Sequence, residues 1–330
     1  MRVGFLVGLG IVILLVGWQG VASIIDWLAG AGWGLLLVAL FIPPDLVLRT
    51  ASMQFLFMPG RKPRFADTAL AMWIGSSVNF LLPVATVGGE FVKARMLTLR
   101  AVRGVDAAAS VVLDKTVQAT SVLLWALVGI AILAVVAPSG EPMVTAAFVG
   151  AGLLALGIAG FVLAQYSGAF GRFARPAGRI STRAGWRSLI ESAAELDATL
   201  RALYRRPGAL TASTLLRLAK RVLMAGEVWF VAWLMGYPIG FAEAVMLNSL
   251  AVALRSAAFV VPGGLGVQEG GYVMIGALVG LPPSVMLAIS LATRLGELIE
   301  GLPGLLAWQV AEGEVYWGRR SKASPPPPSG

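Results

Sequence analysis

No cysteine and no histidine occur in this chain. Disulfides, thiol nucleophiles, imidazole acid–base chemistry and Cys or His metal sites are thereby excluded. Charge is scarce as well: 13% of the 330 residues are Asp, Glu, Lys or Arg, against 58% hydrophobic. A soluble chain of this size needs more charge to stay dispersed, and the short alternating segments of a β-barrel are missing. No GxSxG or P-loop spacing supplies a frame for acyl or phosphoryl transfer. No cofactor is expected, and any chemistry would rest on carboxylates, Lys, Arg, Ser, Thr or Tyr.

What is present is a series of long apolar runs, which predicts an all-α integral membrane protein. Residues 3–18 are long enough to span. A cleaved signal peptide is the competing reading, but the run follows a single Arg2 and leads straight into another apolar segment. Residues 33–57 carry Pro43, Pro44, Asp45 and Arg49 and predict a kinked span with a polar inner face. Arg61, Lys62 and Arg64 then mark the cytoplasm, and residues 65–87 return there, since Lys93, Arg95, Arg100 and Arg103 follow. Such a segment is a re-entrant hairpin turning near Pro83, Gly88 and Gly89. Further spans are expected at about 107–136, 142–165, 209–236 and 284–309. Residues 244–280, flanked by segments without Lys or Arg, form a second hairpin entering from the outer side.

The total is about six full spans plus two re-entrant helical hairpins, with both termini cytoplasmic in a bacterial inner membrane. Residues 1–320 form one polytopic domain, and the tail at 321–330 is Pro-rich and disordered. The loop at 166–208 holds eight Arg against three acids. Within it Leu189, Ala193, Leu196, Leu200 and Leu203 share one helical face. That stripe predicts an amphipathic helix on the inner leaflet or, equally, a helical linker packed on its neighbours. The net charge of +9 reads as positive-inside bias and attraction to anionic inner-leaflet lipid, not as nucleic-acid binding.

Residues 77–90, SVNFLLPVATVGGE, and 256–269, SAAFVVPGGLGVQE, share Ser, Phe, Pro and Glu at one offset of 179 positions. The offset persists downstream, pairing Lys115 with Arg294 and Gln118 with Glu297. Two blocks in one register argue for duplication, with unit A at about 33–136 and unit B at about 209–309. Three crossings between the hairpins make it an inverted repeat, whose shared site is expected near the bilayer midplane. The candidate site residues are Asn79, Gly88, Gly89, Glu90, Lys115, Arg255, Gly263, Gly264, Glu269, Arg294 and Glu297. The glycines let backbone approach a ligand, the cations attract a phosphate or carboxylate headgroup, and the glutamates neutralise them or take up a proton. The alternative for each charge is an internal ion pair that holds a hairpin in place. Asp45, Arg49, Asp114 and Glu227 are weaker members of the set, and Lys93 and Arg95 read as snorkelling side chains at the inner interface.

On NFLLPVATVGGEFVKARML at 79–97, LDKTVQ at 113–118, VPGGLGVQEG at 261–270 and LATRLGE at 291–297, the chain resembles the membrane region of the lysylphosphatidylglycerol synthase family. Within that family it looks most like the stand-alone hopanoid-biosynthesis-associated membrane proteins. The resemblance implies movement of an amphipathic lipid between leaflets, or delivery of a hopanoid, without the soluble aminoacyl-transfer domain of the synthases. It also implies Arg where this chain has Lys115, which weakens bidentate binding there. Two other readings stand beside a lipid transporter. One is an intramembrane lipid-modifying enzyme using Glu90 and Glu269. The other is a non-catalytic partner of lipid-biosynthesis enzymes, docked through the Arg-rich loop.

Overall fold

A computed structural model describes residues 26, 29–30, 32–82, 88–136, 142–167, 184–258, 261 and 264–322. The predicted first span at 3–18, most of the Pro-rich tail, and Pro83, Pro262 and Gly263 at the hairpin tips lie outside these residues. All regular structure among the described residues is helical, as the unbroken apolar runs require.

The first described stretch of any length is a 3₁₀ segment, Gly32–Phe41, that passes into α1, Ile42–Gln54. The change of helix type falls where Pro43 and Pro44 enter, because prolines are tolerated only in a first turn whose N–H groups have no partners. The helices α2 (Phe65–Leu81), α3 (Gly88–Leu99), α4 (Gly104–Val136) and α5 (Pro142–Tyr166) follow. After them come α6 (Ala184–Tyr204), α7 (Pro207–Leu234), α8 (Phe241–Ala257), α9 (Val267–Leu278) and α10 (Pro283–Lys322). Among the described residues, three segments are long and apolar enough to cross a membrane, Gly32–Gln54, Gly104–Val136 and Phe148–Tyr166. Helices α7 and α10 have the length, but they carry several charges.

Where those charges point decides what kind of protein this is. Asp45, Arg49, Glu90, Lys93, Asp114, Arg217, Arg221, Glu269 and Glu300 are buried, whereas Trp33, Leu40, Leu153, Leu156, Leu163, Leu302, Leu306 and Val310 are exposed. A water-soluble protein hides its apolar side chains and solvates its charges; this chain does the reverse, as a helical membrane protein must.

Duplication is visible in the helices. A shift of 179 carries Gly88–Leu99 onto Val267–Leu278 and the start of α4 onto the start of α10. The packing repeats too: α2 on α3 matches α8 on α9, α3 on α4 matches α9 on α10, and α1 on α2 matches α7 on α8. Between units, α8 lies on α4 as α2 lies on α10, and α1 packs on its counterpart α7. The symmetry is partial: α7 also packs on α4 and on α10, and among the described residues α1 makes no comparably extensive contact with α10 or α4.

One detail of the sequence alignment is corrected. Helices α2 and α8 have the same length, 17 residues, and their bounds stand 176 positions apart, which pairs Asn79 with Arg255. Ser77 is buried and Ser256 is exposed, so they are not equivalent. The three-residue difference is absorbed in the tips, 82–87 against 258–266.

Small residues set the closest crossings. At Gly304 of α10 an added Cβ would collide with Ser77 of α2, and at Gly129 of α4 it would collide with Ser249 of α8. Both lie between the units, and they follow the small-residue rule of membrane helices, where close backbone approach replaces hydrophobic drive. The amphipathic helix α6 uses its stripe on the protein: Leu200 and Leu203 are buried with Leu56, Leu113 and Val117, and Leu196 packs beside them. Of the two readings of the stripe, packing on neighbours holds for this stretch, and the leaflet-surface reading is corrected there. The side chain of Leu189 lies outside the described residues.

Candidate functional site

Each hairpin presents its glutamate at the start of its second helix, close to a cation from the next helix of the same unit. In unit A, Glu90 accepts from Lys115 Nζ at 2.9 Å and from Lys93 Nζ at 2.9 Å. In unit B, Glu269 accepts from Arg294 Nε at 2.7 Å and from the Gly266 N–H at 2.7 Å. The second contact caps α9 in the manner of a capping box, with a carboxylate reaching back to the N-terminal backbone. The cation then bonds the residue three further on: Lys115 to Gln118 at 3.3 Å, and Arg294 to Glu297 at 3.1 Å. The offset of 179 thus has a physical content, an acid on one helix gripping a base on the next.

Asn79 and Arg255, the pair matched at a shift of 176, act alike as well. Asn79 Oδ1 accepts from the Gly89 N–H at 2.9 Å and its Nδ2 donates to Glu90 at 3.3 Å. Arg255 donates to Gln268 at 2.7 Å and to Glu297. Both tie the first arm of a hairpin to its second.

The glycines serve the hairpins more than a ligand. A Cβ at Gly89 would strike the Gly75 carbonyl and the Asn79 side chain, so this glycine lets α2 and α3 touch. Gly264 has φ +61, packs under the stem of Arg255, and its carbonyl accepts from Arg294 at 3.1 Å. Gly88 opens α3. Gly263 lies outside the described residues.

Between the units lies a cavity of about 440 Å³, walled by α1, α2, α3, α4, α7, α8, α9 and α10. That volume falls in the ~300–1,000 Å³ range of small-molecule sites. Of the predicted residues, Asn79, Glu90, Lys115, Arg255 and Glu297 line it, whereas Glu269, Arg294 and the described glycines sit behind the wall. Glu90 reaches the shared cavity directly; Glu269, 1% exposed, is one step removed, held by Arg294.

The wall holds residues that sequence reasoning ranked low or passed over. Lys93, read as an interfacial side chain, is buried and bridges Glu90 and Asp114, the latter at 3.0 Å. Arg95 does lie outside, paired with Glu312 at 3.2 Å. Arg217 binds Asp114, Lys220 binds Asp45 at 3.2 Å, and Arg49 binds Glu300 as well as Asp45 at 3.4 Å. The spacing of Arg217, Lys220, Arg221, Met224 and Val228 along α7 was the available signal, since these positions share one helical face. Glu300 continues the Thr293, Gly296 and Glu297 face of α10.

Cations outnumber carboxylates on this wall. Arg49, Lys93, Lys115, Arg217, Lys220, Arg221 and Arg255 face Asp45, Glu90, Glu227, Glu297 and Glu300, seven against five. Among the described residues of the wall, two charged groups have no ion-pair partner within 4.0 Å. Arg221 donates its Nε to Ser121 Oγ at 3.2 Å and lines the cavity with the rest of its guanidinium. Glu227, 8% exposed, lines the cavity on the same helix. An arginine without a carboxylate, in a cavity with surplus positive charge, can accept an anion bidentately. Among the described residues no group of three His, Cys, Asp or Glu is placed to hold a metal ion.

The sequence profile of the family described as the lysylphosphatidylglycerol synthase TM region matches residues 5–302. No curated protein and no solved structure matches the chain. The profile covers every residue of the cavity wall, and the chain belongs to the family of the lysylphosphatidylglycerol synthase TM region.

Proposed function

We propose that this protein moves an amphipathic lipid between the leaflets of a bacterial inner membrane, its headgroup passing through the charged cavity while its tails stay in the bilayer. The observation that carries the reading is the cavity itself. It lies between two duplicated units, has surplus positive charge, and contains Arg221 without a carboxylate partner. A headgroup bearing phosphate or carboxylate supplies the missing anion. The apolar exterior gives the tails a surface to follow.

In this reading the chain has about six spans and two re-entrant hairpins in an inverted repeat, both termini face the cytoplasm, and the two hairpins reach the cavity from opposite sides. The units then exchange roles as the cavity opens to one side and the other. The resemblance to hopanoid-associated members makes a hopanoid the first lipid to test beside phosphatidylglycerol. Anionic inner-leaflet lipids are the expected surroundings of its basic loops, and lipid-biosynthesis enzymes the expected source of the cargo. The protein acts as a carrier, not as an enzyme.

Purified protein in liposomes should accelerate the exchange of a fluorescent phosphatidylglycerol between leaflets, read by quenching of the outer-leaflet label. Arg221→Gln should slow it while the protein stays folded. Equal rates in empty liposomes, wild type and variant would sink the proposal. Mass spectrometry of the recovered lipid separates transport from chemistry: an altered covalent structure overturns the carrier reading.

A further inference from the structure

The two glutamates that the sequence marks for proton exchange, Glu90 and Glu269, each have a cation within 3 Å. Glu90 has Lys93 and Lys115, and Glu269 has Arg294 together with the Gly266 N–H. A carboxylate held this way is the wrong group to cycle a proton, because neutralising it would strand buried cations. Glu227 is placed differently.

It is more than nine-tenths buried, it faces the cavity, and among the described residues no cation lies within 4.0 Å of it. Its Oε1 lies against bare backbone: a Cβ on Gly296 of α10 would sit 3.3 Å from it and 3.1 Å from Val38 of the 3₁₀ segment. On that side the carboxylate meets a glycine and a valine methyl, and an ionised form would face the closed cavity without a counter-charge.

The neighbouring charges are engaged elsewhere. On its own helix, Lys220 favours the anion but is bound to Asp45 of α1 at 3.2 Å, and Arg221 points to Ser121. From α10, Glu297 and Glu300 oppose a third negative charge; Glu297 is bound by Arg255 of α8 and by Arg294, and Glu300 by Arg49 of α1. On α4, Lys115 belongs to Glu90, and Asp114 is held by Lys93 and Arg217. Tyr272 of α9 is the remaining titratable neighbour on the wall.

We infer that Glu227 is a proton-binding site coupled to lipid movement: it holds a proton in the closed cavity and releases it to water when the cavity opens. The proton leaves a carboxyl oxygen of Glu227 for a water molecule and the carboxylate remains; reclosure of the empty cavity requires a proton to be taken up again, whereas reclosure on a bound headgroup does not. With the cavity opening to opposite sides in turn, one cycle can carry a proton in one direction and a headgroup in the other. The coupling rests on the transport reading; the proton site does not.

Two measurements test it. Infrared titration of the purified protein should show a protonated-carboxyl C=O band at neutral pH that is lost in Glu227→Gln and kept in Glu90→Gln and Glu269→Gln. In liposomes with fluorescent phosphatidylglycerol, an imposed pH gradient should accelerate leaflet exchange by wild type and by Glu227→Asp, and this acceleration should be lost in Glu227→Gln. No band at neutral pH, or a band unchanged in Glu227→Gln, overturns the site. A band that behaves as expected, with exchange indifferent to the gradient, overturns the coupling. If Glu227 is ionised and its loss instead impairs amine-bearing lipids selectively, it is a contact for a headgroup cation and the proton proposal falls. Absence of any lipid exchange by wild type sinks the transport reading alone, because the infrared band still decides the proton site.

Discussion

Asp114 is the buried carboxylate on which the cavity's charge balance turns, and replacing it with Asn has a calculable effect. Asp114 is fully buried, with one oxygen bound by Arg217 and the other 3.0 Å from Lys93. Around it Lys93, Lys115 and Arg217 are balanced by Glu90 and Asp114, so the substitution leaves three cations facing one carboxylate. Lys93 keeps Glu90, but Arg217 loses its ion-pair partner while remaining buried. Removing one partner of a buried ion pair costs about 3–5 kcal/mol, a large share of a native stability of about 5–15 kcal/mol. Removing both members of the pair, as Asp114→Asn with Arg217→Met, restores the original excess of one cation and fills the space with an apolar side chain. The double variant should recover most of the loss. Reversible unfolding in mixed micelles, followed by tryptophan fluorescence, measures all three proteins. A single variant within about 0.5 kcal/mol of wild type, or a double variant no more stable than the single, would refute the reasoning.

The crossing glycines give a second contrast. Gly304→Leu and Gly129→Leu should each destabilise by about 1–3 kcal/mol through overpacking against Ser77 and Ser249. Gly150→Leu, where nothing lies within 4 Å, should stay within about 0.5 kcal/mol in the same unfolding assay. The two arginines one turn apart on α7 should also separate. Arg217→Gln lowers stability because Asp114 loses a partner, whereas Arg221→Gln leaves no carboxylate stranded and instead weakens the thermal stabilisation that short-chain phosphatidylglycerol gives the wild type. Equal thermal losses for the two variants would remove the reason for assigning an anion to Arg221.

Much of the site was legible because duplication repeats chemistry as well as helices. Glu90 with Lys115 and Glu269 with Arg294 appear in the sequence as matched positions, and in the structure each pair forms a bond. The glycines misled in part. Gly89 lies in a ligand-like motif, yet the space in front of it is filled by Gly75 and Asn79. Lys93, Arg217 and Lys220 were harder, since a cation near the end of an apolar run reads equally well as a snorkelling side chain. Glu300 gave no signal until the faces of α10 were known.

The apolar runs and the scarcity of charge mark this from sequence as a helical membrane protein, and the shift of 179 marks which positions of its two halves match. Those properties are periodic or compositional, so one dimension is enough to read them. Which charge meets which is decided by helix packing. Arg49 finds Glu300 across 251 positions of chain, and Arg217 finds Asp114 across 103. Only the tertiary structure therefore distinguishes the paired glutamates 90 and 269 from Glu227, which faces the cavity with no cation beside it. Pairing depends on distances of a few ångströms between helices, and helix length and composition do not encode those distances.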